Sequence, residues 1–210
     1  RANENVFPPK EDLVNDFNWY MKNNREAFTP EAFTLKTDYG EKILPAYYEY
    51  HINRWNKIVI VEKAVRNVAV QNVPINGKLD KLEFNGKQVN VVDYKTGKYE
   101  NAKKKLVPPN DKEPNGGDYW RQAVFYKILL DNDRTNDWQA VSTEFDFIEP
   151  VNDEYKTEII QVNSADITTV PAQITDTWQH IQNKDFKTGR GKPHCERSNF
   201  VKSTNPLAAL

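Results

Sequence analysis

Apolar residues in the first fifty positions recur at intervals of three and four. Leu13, Phe17, Tyr20 and Met21 follow Pro8-Pro9 and the acidic pair Glu11 and Asp12, so the spacing predicts a helix over residues 9–23 with favourable charge in its first turn. Ile43, Leu44, Tyr47, Tyr48, Ile52 and Trp55 repeat the pattern over residues 37–55, where Pro45 is expected to begin or kink the helix. From Lys57 the period shortens to two. Residues 58–65, 68–73, 77–84 and 88–94 read as four short strands of a β-meander, with Asn85-Gly86 as the two-residue hairpin signal between the last two.

Residues 98–117 hold Lys103, Lys104, Lys105, three prolines and two glycines, which predicts a mobile functional loop with few apolar anchors. Helical periodicity returns over residues 118–130 through Trp120, Val124, Ile128 and Leu129, and strands are expected at residues 141–148 and 155–162. Ser164-Ala165-Asp166 opens a last helix to about residue 183, with Ile167, Val170, Ile174, Trp178 and Ile181 facing inward. The order ααββββαββα describes an α/β fold, a mixed sheet flanked by helices. Three parts are expected: an N-terminal helical part over residues 1–56, a core over 57–183 and an irregular tail over 184–210.

Composition narrows the function. The 29 Lys and Arg against 30 Asp and Glu give a net charge of −1, so any nucleic-acid site must be a local groove and not a polybasic coat. Cys195 is the only cysteine; it can form no internal disulfide and cannot alone hold a zinc or iron-sulfur centre. The longest apolar runs are far too short for a membrane span, which gives a cytoplasmic expectation and no membrane partner. The chain opens with Arg1 and carries no signal pattern, so it reads as a piece of something longer.

Side chains two apart in a strand share a face, so Asp93 and Lys95 in Val92-Asp93-Tyr94-Lys95-Thr96-Gly97 project together. Gly77-Lys78-Leu79-Asp80 puts a second carboxylate on the partner strand of the same hairpin. Two carboxylates brought together at a sheet end repel unless a divalent cation neutralises them, which points to Mg²⁺ or Mn²⁺. A neighbouring lysine can orient a water and stabilise charge on a phosphoryl oxygen, so the target is a phosphodiester. A bare Asp-x-Lys is most often an ordinary strand-end ion pair; the ensemble, with Gln122 and Tyr126 at i, i+4 on the next helix, carries the argument.

These elements, in this order, resemble the PD-(D/E)xK nuclease domain of the RecB and AddB helicase-nuclease type, with its G-x-x-D, D-Y-K-T-G and Q-x-x-x-Y motifs. The resemblance covers about residues 62–130 and implies a restriction-endonuclease-like mixed sheet. It implies that Asp80 and Asp93 bind metal through their side chains and Tyr94 through its backbone carbonyl, that Lys95 is the catalytic lysine, and that Gln122 and Tyr126 lie beside the site and hold DNA or the lysine. Glu62 corresponds to an acidic residue that members carry shortly before the G-x-x-D strand, and is either a further metal ligand or a sheet-edge glutamate. The basic stretch Lys98, Lys103, Lys104 and Lys105 is placed to contact phosphates, and Tyr99, Tyr119 and Trp120 to stack on unpaired bases.

Two departures from the family pattern stand out. The family's helical histidine has no clear match: His51 lacks the G-x-x-x-H setting and reads as a solvent-facing or core-edge residue. At the other end, Cys195 is followed by Ser198 where cluster-bearing members repeat the cysteine, so no iron-sulfur cluster is expected and Phe186 and Phe200 become the anchors of the tail. The resemblance implies a Mg²⁺-dependent deoxyribonuclease, an exonuclease forming the nuclease part of an ATP-dependent helicase-nuclease in DNA recombination and repair. The chain holds no G-x-x-x-x-G-K-[ST], so a helicase motor would lie elsewhere on the parent chain or on a partner subunit. The alternative is a catalytically inactive nuclease-fold domain that binds or scaffolds DNA.

Overall fold

The structure, a computed structural model, describes residues 7–163 and 166–185. Helices α1 (Lys10–Asn23) and α2 (Pro30–His51) come first. Strands β1 (Val59–Val70), β2 (Val73–Asn85) and β3 (Gln88–Lys95) follow, then α3 (Asp118–Asp131), β4 (Gln139–Phe147), β5 (Thr157–Gln161) and α4 (Thr169–Gln182). The strands form one sheet in the order β1-β2-β3-β4-β5. Hairpin neighbours are antiparallel, whereas β3 and β4 run parallel because α3 supplies the crossover between them.

The meander has three strands, not four. Residues 58–65 and 68–73 fuse into β1, whose register slips between Val65 and Val68 while Asn67 takes a φ of 60°. A bulge absorbs the polar break, so the strand bends instead of ending. The reversal comes at Gln71 and Asn72, with φ of 49° and 67°, a turn whose twist suits a two-residue hairpin. In the second hairpin Asn85 still pairs with Gln88, so the turn residues are Gly86 and Lys87, one position later than expected, and Gly86 takes the positive φ.

Helix α2 begins at Pro30, well before residue 37. The Thr29 hydroxyl accepts from the Ala32 amide at 3.2 Å, and Pro30 stands in the first turn, where its missing donor costs nothing. Pro45 lies inside the helix and does not start it. Close packing against α1 supports this helix: a Cβ at Gly40 would lie 2.2 Å from Phe17 Cζ.

Helix α3 buries Ala123, Val124, Leu129 and Leu130 against the sheet, where Leu79, Leu82, Val89 and Val91 are fully enclosed. Each such aliphatic side chain contributes about 1.5–3 kcal/mol. Gly77 permits the contact, since a Cβ there would sit 2.4 Å from Leu129 Cδ1.

The 98–117 segment has more anchors than its composition suggested. It contains two single turns of 3-10 helix, buries Ala102 and packs Tyr99 and Leu106 on the core. Gly117 donates to the Val107 carbonyl at 2.8 Å, and a Cβ on it would sit 2.3 Å from the Lys105 carbonyl oxygen. In α4, Val170 is buried and Ile174 packs on the core, but Ile181 in the last turn is exposed and lines a groove against α3. Among the described residues no helix is long and apolar enough to cross a membrane.

Candidate active site

Asp93 and Lys95 sit on the α3 side of β3, and Gln122 and Tyr126, one turn apart on α3, face them. The Lys95 ammonium lies 2.9 Å from both Asp93 oxygens and donates to Gln122 Oε1 at 2.8 Å. Gln122 Nε2 donates to Asp93 Oδ1 at 2.9 Å and to the Tyr126 hydroxyl at 2.6 Å. The Tyr126 hydroxyl in turn donates to Asp93 Oδ1 at 3.2 Å. Gln122 is thus a two-sided spacer, its carbonyl holding the lysine and its amide the carboxylate. Burial pushes the Asp93 carboxyl above the usual aspartate range, Lys95 draws it back and Asp80 pushes it up again. The buried Tyr126 phenol is raised first by desolvation and then by the Asp93 charge.

Asp80 reaches the site through a break in the sheet. The β2–β3 ladder ends at Lys81 opposite Val92. Beyond it the Tyr94 amide donates to Asp80 Oδ2 at 3.1 Å, a side chain replacing a ladder carbonyl. This bond fixes Asp80 beside the residue that follows Asp93 and holds the two carboxylates within electrostatic reach of each other.

The donor set suits a hard divalent cation. Among the described residues no cluster of three or more His, Cys, Asp and Glu forms, yet Mg²⁺ needs only one or two carboxylates and keeps several waters. A buried carboxylate raised by a second carboxylate is a pair that a cation would relieve. A concavity of about 530 Å³ between α3, α4 and the start of β2 touches Gln122 but is not lined by Asp80, Asp93 or Lys95.

Other expected site residues are placed differently. Glu62 does not join the carboxylates as a third metal ligand: it is exposed, has a φ of 55° and pairs with Lys78. Trp120 is 3% exposed within the core beneath α3, so it cannot stack on a base. Lys105 does approach the site; Tyr119 has its ammonium 5.0 Å and that of Lys95 4.4 Å from the ring centroid, and stacks on Phe145. Lys103 lies 5.7 Å from the Tyr99 ring, while Lys98 and Lys104 are exposed. Cys195, Ser198, Phe186 and Phe200 lie outside the described residues.

The Tyr94 ring points to the opposite face of the sheet, against Tyr47 of α2. There His51 packs 4.3 Å from the Tyr47 ring and 5.3 Å from Tyr155, among aromatic side chains and away from the carboxylate pair. This face also carries a polar cluster that sequence reasoning missed: Asp146 is buried and accepts from the Tyr47 hydroxyl, and the neighbouring Glu144 lies within electrostatic reach of Asp146, Glu83 and Lys81. The available signal was the inward-pointing charge in the apolar alternation of Phe145-Asp146-Phe147.

A mixed sheet with two acids and a lysine at one strand end, braced by a helix, defines a restriction-endonuclease-like α/β fold. The family profile of the PD-(D/E)XK nuclease superfamily matches residues 9–200, and the chain belongs to that superfamily. Among solved structures it is similar to a candidate exonuclease from Eubacterium rectale, with a TM-score of 0.52 and 11% identity over 93% of this chain and 75% of that one. A match to the protein SSO0001 has a TM-score of 0.39 and 16% identity over 81% of this chain and 71% of the other. No curated protein matches the chain.

Proposed function

We propose that the chain is a divalent-metal-dependent deoxyribonuclease that hydrolyses phosphodiesters from DNA ends. The observation that carries this reading is the closed set of bonds joining Asp93, Lys95, Gln122 and Tyr126 beside Asp80. Asp80, Asp93 and the Tyr94 carbonyl would hold Mg²⁺ or Mn²⁺, which supplies an acidified water and charge neutralisation at the phosphate. The chain's own contribution is preorganisation. Gln122 fixes the distance between anion and cation, and Lys95 presents a positive charge to a phosphoryl oxygen as negative charge develops there. Lys105, held over the Tyr119 ring that Lys95 also faces, would extend that positive edge.

Exonuclease action, and a place in a helicase-nuclease of recombination and repair whose motor lies on the parent chain or a partner, are supported by the motif resemblance. Among the described residues no third carboxylate joins the pair, which favours one rival, a nuclease fold that binds DNA without cutting it. Incubation of end-labelled linear and closed circular DNA with Mg²⁺, with Mn²⁺ and with chelator separates these readings. Mononucleotide release from linear DNA alone, abolished by chelator and by Asp80→Ala, is expected. Intact DNA under every metal condition would leave the binding domain.

A further inference from the structure

One buried charge is left unused by the chemistry above. Lys81 is 7% exposed, the one lysine among the described residues that is buried. A buried ion pair is often no more stabilising than apolar residues of the same volume, so an ammonium kept in such a place calls for a reason in geometry. Its partners supply one. Lys81 lies 2.9 Å from the Glu83 carboxylate, and its ammonium stands 5.4 Å from the centre of the Tyr94 ring. Burial holds the Tyr94 phenol above the usual tyrosine range, and the charge of Lys81 and a hydrogen bond with it draw the phenol back.

The place of this contact in the sheet makes it informative. Lys81 and Val92 form the last pair of the β2–β3 ladder, and Tyr94, two residues past Val92, is the diagonal neighbour of Lys81 on the same face. Just beyond that pair the Tyr94 amide donates to Asp80 Oδ2 at 3.1 Å. Two consecutive residues of β2 therefore grip one residue of β3, Asp80 through its main chain and Lys81 through its side chain. The ring also meets Tyr47 edge to face, with centroids 6.4 Å apart at 87°. In an antiparallel ladder the amide and carbonyl of one residue point to the same edge, so the Tyr94 carbonyl is directed toward Asp80, past the last ladder pair.

We propose that Lys81 is a positioning residue for the cation site, holding the Tyr94 side chain on the α2 face so that the Tyr94 carbonyl keeps its aim beside Asp80 and Asp93. The inference rests on the reading of Asp80, Asp93 and the Tyr94 carbonyl as the ligands of a divalent cation, and it names the residue that orients the third of them. Lys81 acts through Tyr94 and not on the cation itself. A main-chain ligand has no rotamer of its own, so its direction is set by whatever holds the side chain and the flanking peptide. Outer partners of this kind orient a ligand and tune how tightly the metal is held.

The test is uptake of Mn²⁺ by the full chain without DNA, read from the electron paramagnetic resonance signal of the free ion. Lys81→Met should weaken Mn²⁺ binding by about tenfold to a hundredfold, the scale for removing an outer partner of a metal ligand, and Lys81→Arg should restore it. Tyr94→Phe keeps the ring and the Lys81–Glu83 pair, so it reads the same contact even if Lys81→Met does not fold, and it should show a loss of similar size. The losses should not add in the double variant, because both changes remove one contact. Unchanged Mn²⁺ affinity in folded Lys81→Met or in Tyr94→Phe, additive losses, no recovery with Lys81→Arg, or a parent chain that takes up no Mn²⁺ would overturn the positioning role. Failure of the nuclease reading is separate: it appears as absent DNA hydrolysis by a parent chain that binds Mn²⁺.

Discussion

Asp93 and Asp146 lie on adjacent parallel strands one step out of phase, Asp93 opposite Phe145 and Tyr94 opposite Asp146, so they face opposite sides of the sheet. Both are almost fully buried. On the α3 side, Asp93 is held by an ammonium, an amide and a phenol and lies near a second carboxylate. On the α2 side, Asp146 accepts from the Tyr47 hydroxyl, while its Oδ1 and the neighbouring His51 Nε2 and Trp55 Nε1 are buried without a partner. Burial pushes His51 below its usual value and Asp146 draws it back. The difference teaches what burial of an acid can be for. A carboxylate given a cation and a fixed spacer is held ready for charge arriving from outside, whereas one given a phenol fastens a helix to a sheet.

Replacing Lys95 breaks that comparison most directly. Lys95→Ala should lower hydrolysis by about 10²–10³-fold, the scale for deleting one preorganised charge-stabilising donor. The lysine is only 14% exposed and pairs with Asp93, so this variant is not structurally silent. Leaving Asp93 buried without its cation costs about 1–3 kcal/mol. Rates must therefore be measured on chain shown to be folded. Parent-rate cleavage by folded Lys95→Ala would remove Lys95 from the chemistry.

The two faces were unequally legible in the sequence, for a physical reason. Asp93, Lys95, Gln122 and Tyr126 obey local periods, two residues on a strand and four on a helix, so their convergence needed only α3 to pack on β3. Asp80 was readable through its hairpin, although the side chain to backbone bond with Tyr94 was not. Tyr47 and Asp146 meet across 99 residues of chain with no shared period, and nothing in either segment names the other. Bulge chemistry misled the strand count at Asn67, because a residue with positive φ looks the same in sequence whether it bends a strand or ends one. Trp120 misled the DNA reading in a similar way, since an aromatic next to a basic loop can lie on either side of its helix.

Removing the phenol sharpens the contrast from the other face. Tyr47→Phe keeps the ring contacts with Tyr94 and His51 but leaves Asp146 with neither oxygen partnered. Unfolding free energy should fall by about 1–3 kcal/mol, the cost of an unsatisfied buried acceptor. Hydrolysis by the folded fraction should match the parent. A fall in turnover comparable to that of Lys95→Ala would show that the two faces act as one site.

A smaller effect should appear in the pH profile. The Tyr126 hydroxyl bond lowers the Asp93 carboxyl within an environment that otherwise raises it. Tyr126→Phe removes that bond, so the acid limb of hydrolysis should move to higher pH while the plateau changes less. Stability should respond with the matching sign. The folded Asp93 value lies above the unfolded one, so the folded chain binds the extra proton between them and stability falls as pH rises through that window. In the variant the window extends upward. An unmoved limb would mean that Asp93 does not govern the acid side of the profile.

The smallest expected change concerns charge outside the bonded cluster. Lys103, Lys104 and Lys105 sit in a single turn after β3, and Lys105 approaches the ring that also holds Lys95. Lys156 precedes β5 next to Tyr155, on the α2 side, and is paired with Glu154. Removing one lysine that neutralises a phosphate should reduce the slope of log affinity against log salt by about one. Single lysine-to-alanine changes at 103, 104 and 105 should therefore flatten the DNA-binding slope, most of all at Lys105, while Lys156→Ala should leave it unchanged. A titration of binding against salt with Ca²⁺ present reads this directly. If the three loop variants and Lys156→Ala behave alike, the loop is a solvated excursion and the strand enters over another surface, whereas a change confined to Lys105 would place the phosphate track at Tyr119 and off the rest of the turn.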